Sequence, residues 1–558
     1  MKEIDVFVVN AGHFKVAGGS SLFSLLKSVV GSGHKPCGYD VLGAKLNNEV
    51  RELSYLLDKD STVRFIDLND EDGIRMYRRS MHFVFIKSVL ELYPRKKPVI
   101  KHSISSGIYF ELLDDNETTQ DEIGKIRQRM NEIISDKIPF VKTDVSLEYA
   151  RKIYTDTGRE DKFHLIEQRA SDHVTLYDLG GTKDYFYGYM VPNTGYLKSF
   201  RLIKYKHGAI IVFPDRNDPG RLPYFRPQPK LFTIFREHEI DGHLLGCKSI
   251  GDLNNIVKKG KIDELIDKSE YLHSMKIKDI ESEITEKKRS VVFIAGPSSS
   301  GKTSAALRIA KALNEMSVGT LTISMDDYFL DQEETPKDEY GEKDFEAMGA
   351  MDIRLFKSNI RDLIMGAEIQ KPTFDFSTGK RNKIYQLMRK GKNDIIIVEG
   401  LHGLDPSVYS EYGRKNLYRI YVSSLTSMNI DDHNRIPTTE SRLLRRIVRD
   451  IISRGTSPED TLKRWASVRN GEERYIFPFQ DNADAIFNSS LYYELAILKP
   501  YADKIIKEVS SDVPEYSEAR SMSVFLSYIC PAGSRSIPDD SIIKEFIGES
   551  MLFTQRNV

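Results

Sequence analysis

The feature that most constrains this chain is the octapeptide GPSSSGKT at Gly296–Thr303, set between an uninterrupted apolar run, Val291 to Ala295, and a stretch, SAALRIAKAL, with helical apolar spacing. Strand, glycine loop and helix in that order cradle phosphate oxygens on backbone N–H groups, with the start of the helix adding favourable partial charge. The pattern places Gly296, Pro297, Ser298, Ser299, Ser300, Gly301, Lys302, Thr303 and Ser304 around a phosphate chain. Lys302 is expected to reach its outer phosphates and Thr303 a divalent cation. A loop of this kind sits on a parallel α/β sheet, so an α/β fold is expected for the surrounding region.

Two further strands end in acids. TLTISMDDYF alternates Leu321, Ile323 and Met325 with polar residues before Asp326 and Asp327, and DIIIVEG is apolar until Glu399. In an open parallel sheet the ligand lies beyond the carboxyl ends of the strands, so both acids are expected near the phosphates. Asp326 is a candidate to take a hydroxyl proton and, with Glu399 and Thr303, to hold a metal; each acid could instead cap the turn that follows it. SRLLRRIVRDIISRG then sets Leu444, Ile447, Val448 and Ile451 along one stripe and Arg442, Arg446 and Arg449 on the other face, with Arg454 before a terminating glycine. Arginines at this density repel one another unless anions approach, which favours a basic lid over phosphates above a merely solvated face.

GPSSSGKT, MDDYF, PTFDF, VEG and RRIVRDIISRG, in that order, resemble the uridine kinase and phosphoribulokinase family across about residues 289 to 500. The resemblance implies a five-stranded parallel P-loop fold, ATP and Mg²⁺, and a nucleoside acceptor. It implies Asp326 as catalytic acid/base with Lys302, Arg449 and Arg454 also in the catalytic set. It further implies Phe329, Phe374, Asp375 and Phe376 beside the nucleoside, and Arg446 on the substrate side. Two segments depart from the family. FEAMGAMD stands where an FDHPDAFD segment is usual, leaving Glu346 as a longer ribose contact, and the histidine expected against the pyrimidine edge falls at about Gly379.

The front half is similar to the small N-terminal TGS module and the editing domain of threonyl-tRNA synthetases. The likeness rests on MYRRSMHFVFIKSVLELYP, SSGIYFEL and DYFYGYMVPNTGYLKSFRLI, across about residues 69 to 213. That family's metal-like cluster of histidines and a cysteine maps onto Arg78, His82, Phe186 and Met190, so one imidazole remains and no zinc site is expected. The front half is expected to bind or regulate rather than deacylate.

The expected organisation is two N-terminal α+β domains (1–68 and 69–245), a charged helical linker (246–288), the P-loop kinase domain (289–510) and a C-terminal extension (511–558). DRNDPGRLPYFRPQPK at Asp215 to Lys230 reads as a loop. Lys plus Arg, 81, nearly cancels Asp plus Glu, 82, so no global basic field favours nucleic acid, although the front half keeps that partner open. Three scattered cysteines and the absence of a bilayer-length apolar segment lead to the expectation of a cytoplasmic protein that binds ATP and a nucleoside and no membrane, its oligomeric state open. Two other readings stay open: a family kinase acting on a different hydroxyl, and a nucleotide-switched RNA-associated protein.

Overall fold

The computed structural model describes residues 2–114, 117–159, 161–162, 165, 172–337, 341, 343–375 and 378–552. At the N-terminus the strand Glu3–Val8 alternates exposed and buried residues, turning Ile4, Val6 and Val8 inward. The sheet runs Gly12–Ala17, Glu3–Val8, Ser61–Ile66, Gly43–Leu46, Glu49–Arg51 in space, and the helix Leu22–Gly31 covers it with Leu22, Leu25 and Val29.

The helix Glu71–Leu92 begins at Asp70, whose carboxylate accepts from the N–H of Asp72. It packs Phe83, Phe85 and Val89 against a four-stranded antiparallel sheet ordered Arg201–Tyr205, Gly208–Val212, Gly107–Leu113, Lys97–Ile104. Gln120–Ser135 joins the same core through Ile123, Ile126 and Met130, its start fixed by a reciprocal Thr119–Glu122 cap. A three-stranded sheet, Thr182–Asp184, His173–Leu179, Phe140–Ser146, completes the front half. The proline-rich stretch after Asp215 carries no regular element until the helix Pro229–Leu245.

The second half is built on a parallel sheet whose spatial order is Thr320–Ser324, Ile395–Glu399, Val291–Ala295, Leu417–Ser423, Ala485–Asn488. Val291–Ala295 and Ile395–Glu399 are buried at every position, as strands covered on both faces must be. The helix Ile262–Glu286, within the segment expected as a linker, is no free spacer: Leu265, Ile266, Ile277, Ile280 and Ile284 share one apolar cluster with the sheet residues Val292 and Ile294. Beyond residue 510, the helix Tyr516–Ser527 and the turn Lys544–Ile547 add Met522, Phe525 and Phe546 to that cluster.

The halves meet along a polar seam. Lys162 lies against Asp184 (2.6 Å) and Asp431 (3.3 Å) with its side chain wholly buried. Asp184 is also paired with His433, and Asn434 joins Tyr185 and Tyr187. Arg75 pairs with Glu518, and the N–H of Ile100 donates to the carbonyl oxygen of Asp432. No helix among the described residues is long and apolar enough to cross a membrane.

Candidate phosphate and acceptor site

The loop after Val291–Ala295 is held by close approaches only glycine permits. A Cβ on Gly296 would lie 1.9 Å from the carbonyl oxygen of Val422, and Gly301 turns at φ +80° to start the helix Lys302–Glu315. Ser299 also adopts positive φ (+57°), a conformation costly for a residue with a Cβ. The hydroxyls of Ser299 and Ser300 are buried and have no protein partner, so the loop offers donors that a phosphate would satisfy. Lys302 Nζ rests on the carbonyl oxygen of Pro297 at 3.2 Å. Thr303 is half-buried in the first turn. The hydroxyl of Ser304, expected among the phosphate contacts, instead donates to Glu545 at 2.6 Å, and its backbone N–H to the same carboxylate oxygen at 3.4 Å.

The arginine helix spans Thr438–Arg454. Three of its cations gather on one carboxylate: Asp450 lies 3.2 Å from Arg446, 3.3 Å from Arg449 and 3.4 Å from Arg454. Arg446 also donates to Ser298 Oγ at 2.9 Å, which ties this group to the loop. Arg449, then burial, depresses the Arg454 guanidinium, the expected result of crowding three cations on one acid.

Arg442 differs from the expectation of a basic outer face. It is 1% exposed, donates from Nε to the carbonyl oxygen of Ser298 at 3.0 Å and is paired with Glu472, itself fully buried. Glu472, on the helix Pro458–Tyr475, also accepts from the N–H of Ser298 at 3.2 Å. The pair therefore clamps both backbone polar groups of Ser298 from behind. Periodicity gave no signal for Glu472, because the contact joins two helices and a loop far apart in sequence. Arg445 is likewise interior, bonded to Glu494 at 2.5 Å.

Asp326 follows the strand Thr320–Ser324 on a short 3₁₀ turn, Met325–Tyr328. Its neighbour Asp327 is committed to Lys371 at 2.5 Å. Glu399 ends its strand 3% exposed and accepts from Ser324 Oγ at 2.7 Å. Glu346 packs into the space left by Gly471, where a Cβ would lie 2.3 Å from its own, and one of its carboxylate oxygens has no partner. Burial first, offset by Arg446 and reinforced by Glu472 and Asp326, pushes the Glu346 carboxyl up to about 7; Lys302 acts on it in the opposite sense. Asp326 acts on Arg454 as well. Loop lysine, Asp326, Glu346 and the arginine helix thus share one electrostatic environment.

Phe329 is buried, with its ring 5.6 Å from that of Phe374. Phe374 and Asp375 form a strand paired with Lys380–Arg381. Phe376 lies outside the described residues. The turn of this hairpin holds Gly379 at φ +67°, where a Cβ would meet Gln332 at 2.7 Å. The position expected for a base-reading histidine is therefore shaped for glycine.

In the front half, His82 is buried with its ring edge-on to Phe110 and Phe213, and Phe186 packs on Phe83. Met190 takes a contact from Ser80 Oγ. Among the described residues no group of three or more His, Cys, Asp or Glu side chains could hold a metal ion.

Residues 291–493 match the model of the Phosphoribulokinase / Uridine kinase family. Over its N-terminal region the chain is similar to threonine–tRNA ligases: 32% identical over 164 residues to that of Burkholderia lata, covering 29% of this chain and 26% of the ligase. Similarity to the Thermotoga neapolitana ligase is 30% over 166 residues, with the same coverage. The chain thus spans about a quarter of the length of these relatives. Among solved structures, a possible uridine kinase from Bacillus stearothermophilus is 18% identical, with TM-score 0.25, 36% of this chain and 89% of that one covered. D-glycerate 3-kinase from Cryptococcus neoformans var. grubii is 15% identical, with TM-score 0.27 and coverage of 38% and 90%. The similarity to that family is confined to residues 291–493, in the second half of the chain.

Proposed function

We propose that the chain is an ATP- and Mg²⁺-dependent kinase that passes the terminal phosphoryl group to the 5′-hydroxyl of a nucleoside, uridine or cytidine first. The observation that supports this reading is the loop itself, with its glycine-only approach at Gly296, its unpartnered Ser299 and Ser300 hydroxyls, and the Asp450-centred arginines tied to Ser298. The loop N–H groups and the Ser299 and Ser300 hydroxyls would bind the phosphates, and Lys302 would balance charge on the outer two. Arg449 and Arg454 would follow the phosphoryl group as its charge spreads. Asp326 would accept the proton of the attacking hydroxyl. Thr303, Asp326 and Glu399 are hard oxygen donors of the kind Mg²⁺ takes alongside substrate phosphates, and they would hold it. The metal, once bound, supplies charge neutralisation between phosphates.

Phe329, Phe374 and Asp375 would face the base, with Phe376 beside them in sequence, and Glu346 the ribose. Three unpaired cysteines suit a reducing cytoplasm. The front half would serve as a binding or regulatory module.

A second reading is favoured by Gly379: its backbone turns at φ +67°, where side chains are strained, and with no histidine there selection for a pyrimidine edge weakens, so a different small-molecule hydroxyl could be the acceptor. A panel of nucleosides and phosphorylated sugars, read by ADP release with the full chain, separates the two. Asp326→Asn is expected to lower turnover by about 10²–10⁴-fold while ATP still binds. ADP release that no acceptor stimulates, or full turnover in Asp326→Asn, would remove the proposal.

A further inference from the structure

One face of the helix Glu71–Leu92 carries Arg75, Arg78, Arg79 and His82, spaced by three or four residues, toward the kinase half. Arg75 is satisfied by Glu518, Glu71 and Asp72. The others are not. Arg78, Arg79 and the facing Arg435 have no carboxylate in ion-pair contact among the described residues. Arg79 donates to the carbonyl oxygen of Tyr189 and Arg435 to Ser103 Oγ. Arg78 Nε, Arg435 Nε and His82 Nε2 are shielded from solvent and have no hydrogen-bond partner.

His82 itself is 8% exposed, whereas Arg78, Arg79, Arg435 and Glu440 are half-buried, so parts of these side chains reach solvent. Burial depresses all three guanidiniums and the imidazole, and raises the Glu440 carboxyl to about 7. Other acids that act on Arg78 are engaged elsewhere: Glu71 with Arg75 and Arg216, and Glu473 with Arg469. Asp215 accepts from the N–H of Asn217. Buried donors without acceptors are costly and rare in native proteins, and three at one seam mark a place completed by something from solution.

We infer that Arg78, Arg79, Arg435 and His82 form a site for the phosphate group of a small molecule, at the seam between the two halves and separate from the P-loop. Three guanidiniums outnumber the carboxyls of Glu440 and Asp215, so positive charge remains in excess, and a phosphate, whose oxygens several guanidiniums can grip at once, answers it better than a single carboxylate. The occupant would sit at the first turn of the same helix, Thr438–Arg454, whose far end carries Arg446, Arg449 and Arg454.

The test is arginine modification of the full-length wild-type chain by phenylglyoxal, mapped by mass spectrometry, with inorganic phosphate as probe. At a phosphate concentration about ten times its Kd, labelling of Arg78 and Arg435 is expected to slow roughly tenfold. Acetate at equal ionic strength should leave it unchanged. The protection should survive Lys302→Ala, which removes phosphate binding at the loop, and calorimetry should show one phosphate lost in Arg78→Gln or Arg435→Gln. Unaltered labelling in phosphate, equal protection by acetate, or protection that disappears with Lys302→Ala would overturn the assignment. Protection by tRNA without protection by phosphate would transfer the crevice to a nucleic acid and overturn it equally.

Discussion

Glu472→Gln probes the clamp behind the phosphate loop. Glu472 and Arg442 are 0% and 1% exposed, so neither has water to fall back on. Neutralising Glu472 leaves the Arg442 charge buried, and Arg469, 3.0 Å from the same carboxylate, loses its partner as well. Breaking one side of a buried pair costs about 3–5 kcal/mol. The chain has a single tryptophan, Trp465, and the Arg442 guanidinium lies 5.5 Å from its ring centre, so its fluorescence reports this spot. With a urea dependence of about 2–3 kcal/mol per molar, the midpoint of the Trp465 transition is expected to fall by roughly 1–2 M. The paired change Arg442→Met with Glu472→Leu removes both charges and is expected to cost less than the sum of the two single changes. It should nevertheless weaken ATP binding, because both backbone groups of Ser298 lose their holds. A loss below about 1 kcal/mol for Glu472→Gln, or a double variant as unstable as the summed singles, would refute the buried-clamp reading.

Glu346 has a folded pKa near 7, above its ordinary 4.5, so its neutral form is preferred in the fold. Its penalty is absent below pH 4.5, grows as pH rises and is complete above 7; Glu346→Gln is therefore expected to raise stability at pH 8 by about 1–3 kcal/mol and to be neutral at pH 4.5, read by thermal unfolding at both. Glu545→Gln leaves the hydroxyl of Ser304 with a weaker acceptor and is expected to cost about 1–2 kcal/mol in the same urea titration, together with weaker ADP binding by calorimetry. Lys162→Met strands Asp184 and Asp431 in the seam and is expected to lower stability by about 3–5 kcal/mol, an effect that Asp431→Asn should partly reverse.

What could be read from residues alone was what local chemistry dictates. The loop Gly296–Thr303, the strand ends at Asp326 and Glu399, and the helix over Arg442–Arg454 all show in spacing and glycine placement, and each has its expected element in the fold. Which face of that helix each arginine occupies was less legible. Arg442 reads as part of the outer basic face until Glu472 is brought in from another helix, and Arg445 proves interior as well, against Glu494. Ser304 belongs to the motif, yet the residue that claims its hydroxyl lies 241 positions away. The segment 246–288 reads as charged because one face is charged; its apolar face, Leu265, Ile266 and Ile277, emerges only with the sheet it covers. Contacts of this sort depend on topology, which no periodicity encodes.

The seam of Lys162, Asp184, Asp431 and His433 also bears on how the protein could be taken apart. Cleaving the chain near residue 285 would not liberate two tidy pieces, since the amino-terminal fragment would keep the Lys162–Asp184 pair but lose Asp431 and His433, which would go with the carboxyl-terminal fragment. Bending the halves apart would meet the same electrostatic resistance. A change at any one of these four residues is therefore expected to be felt on both sides of the seam.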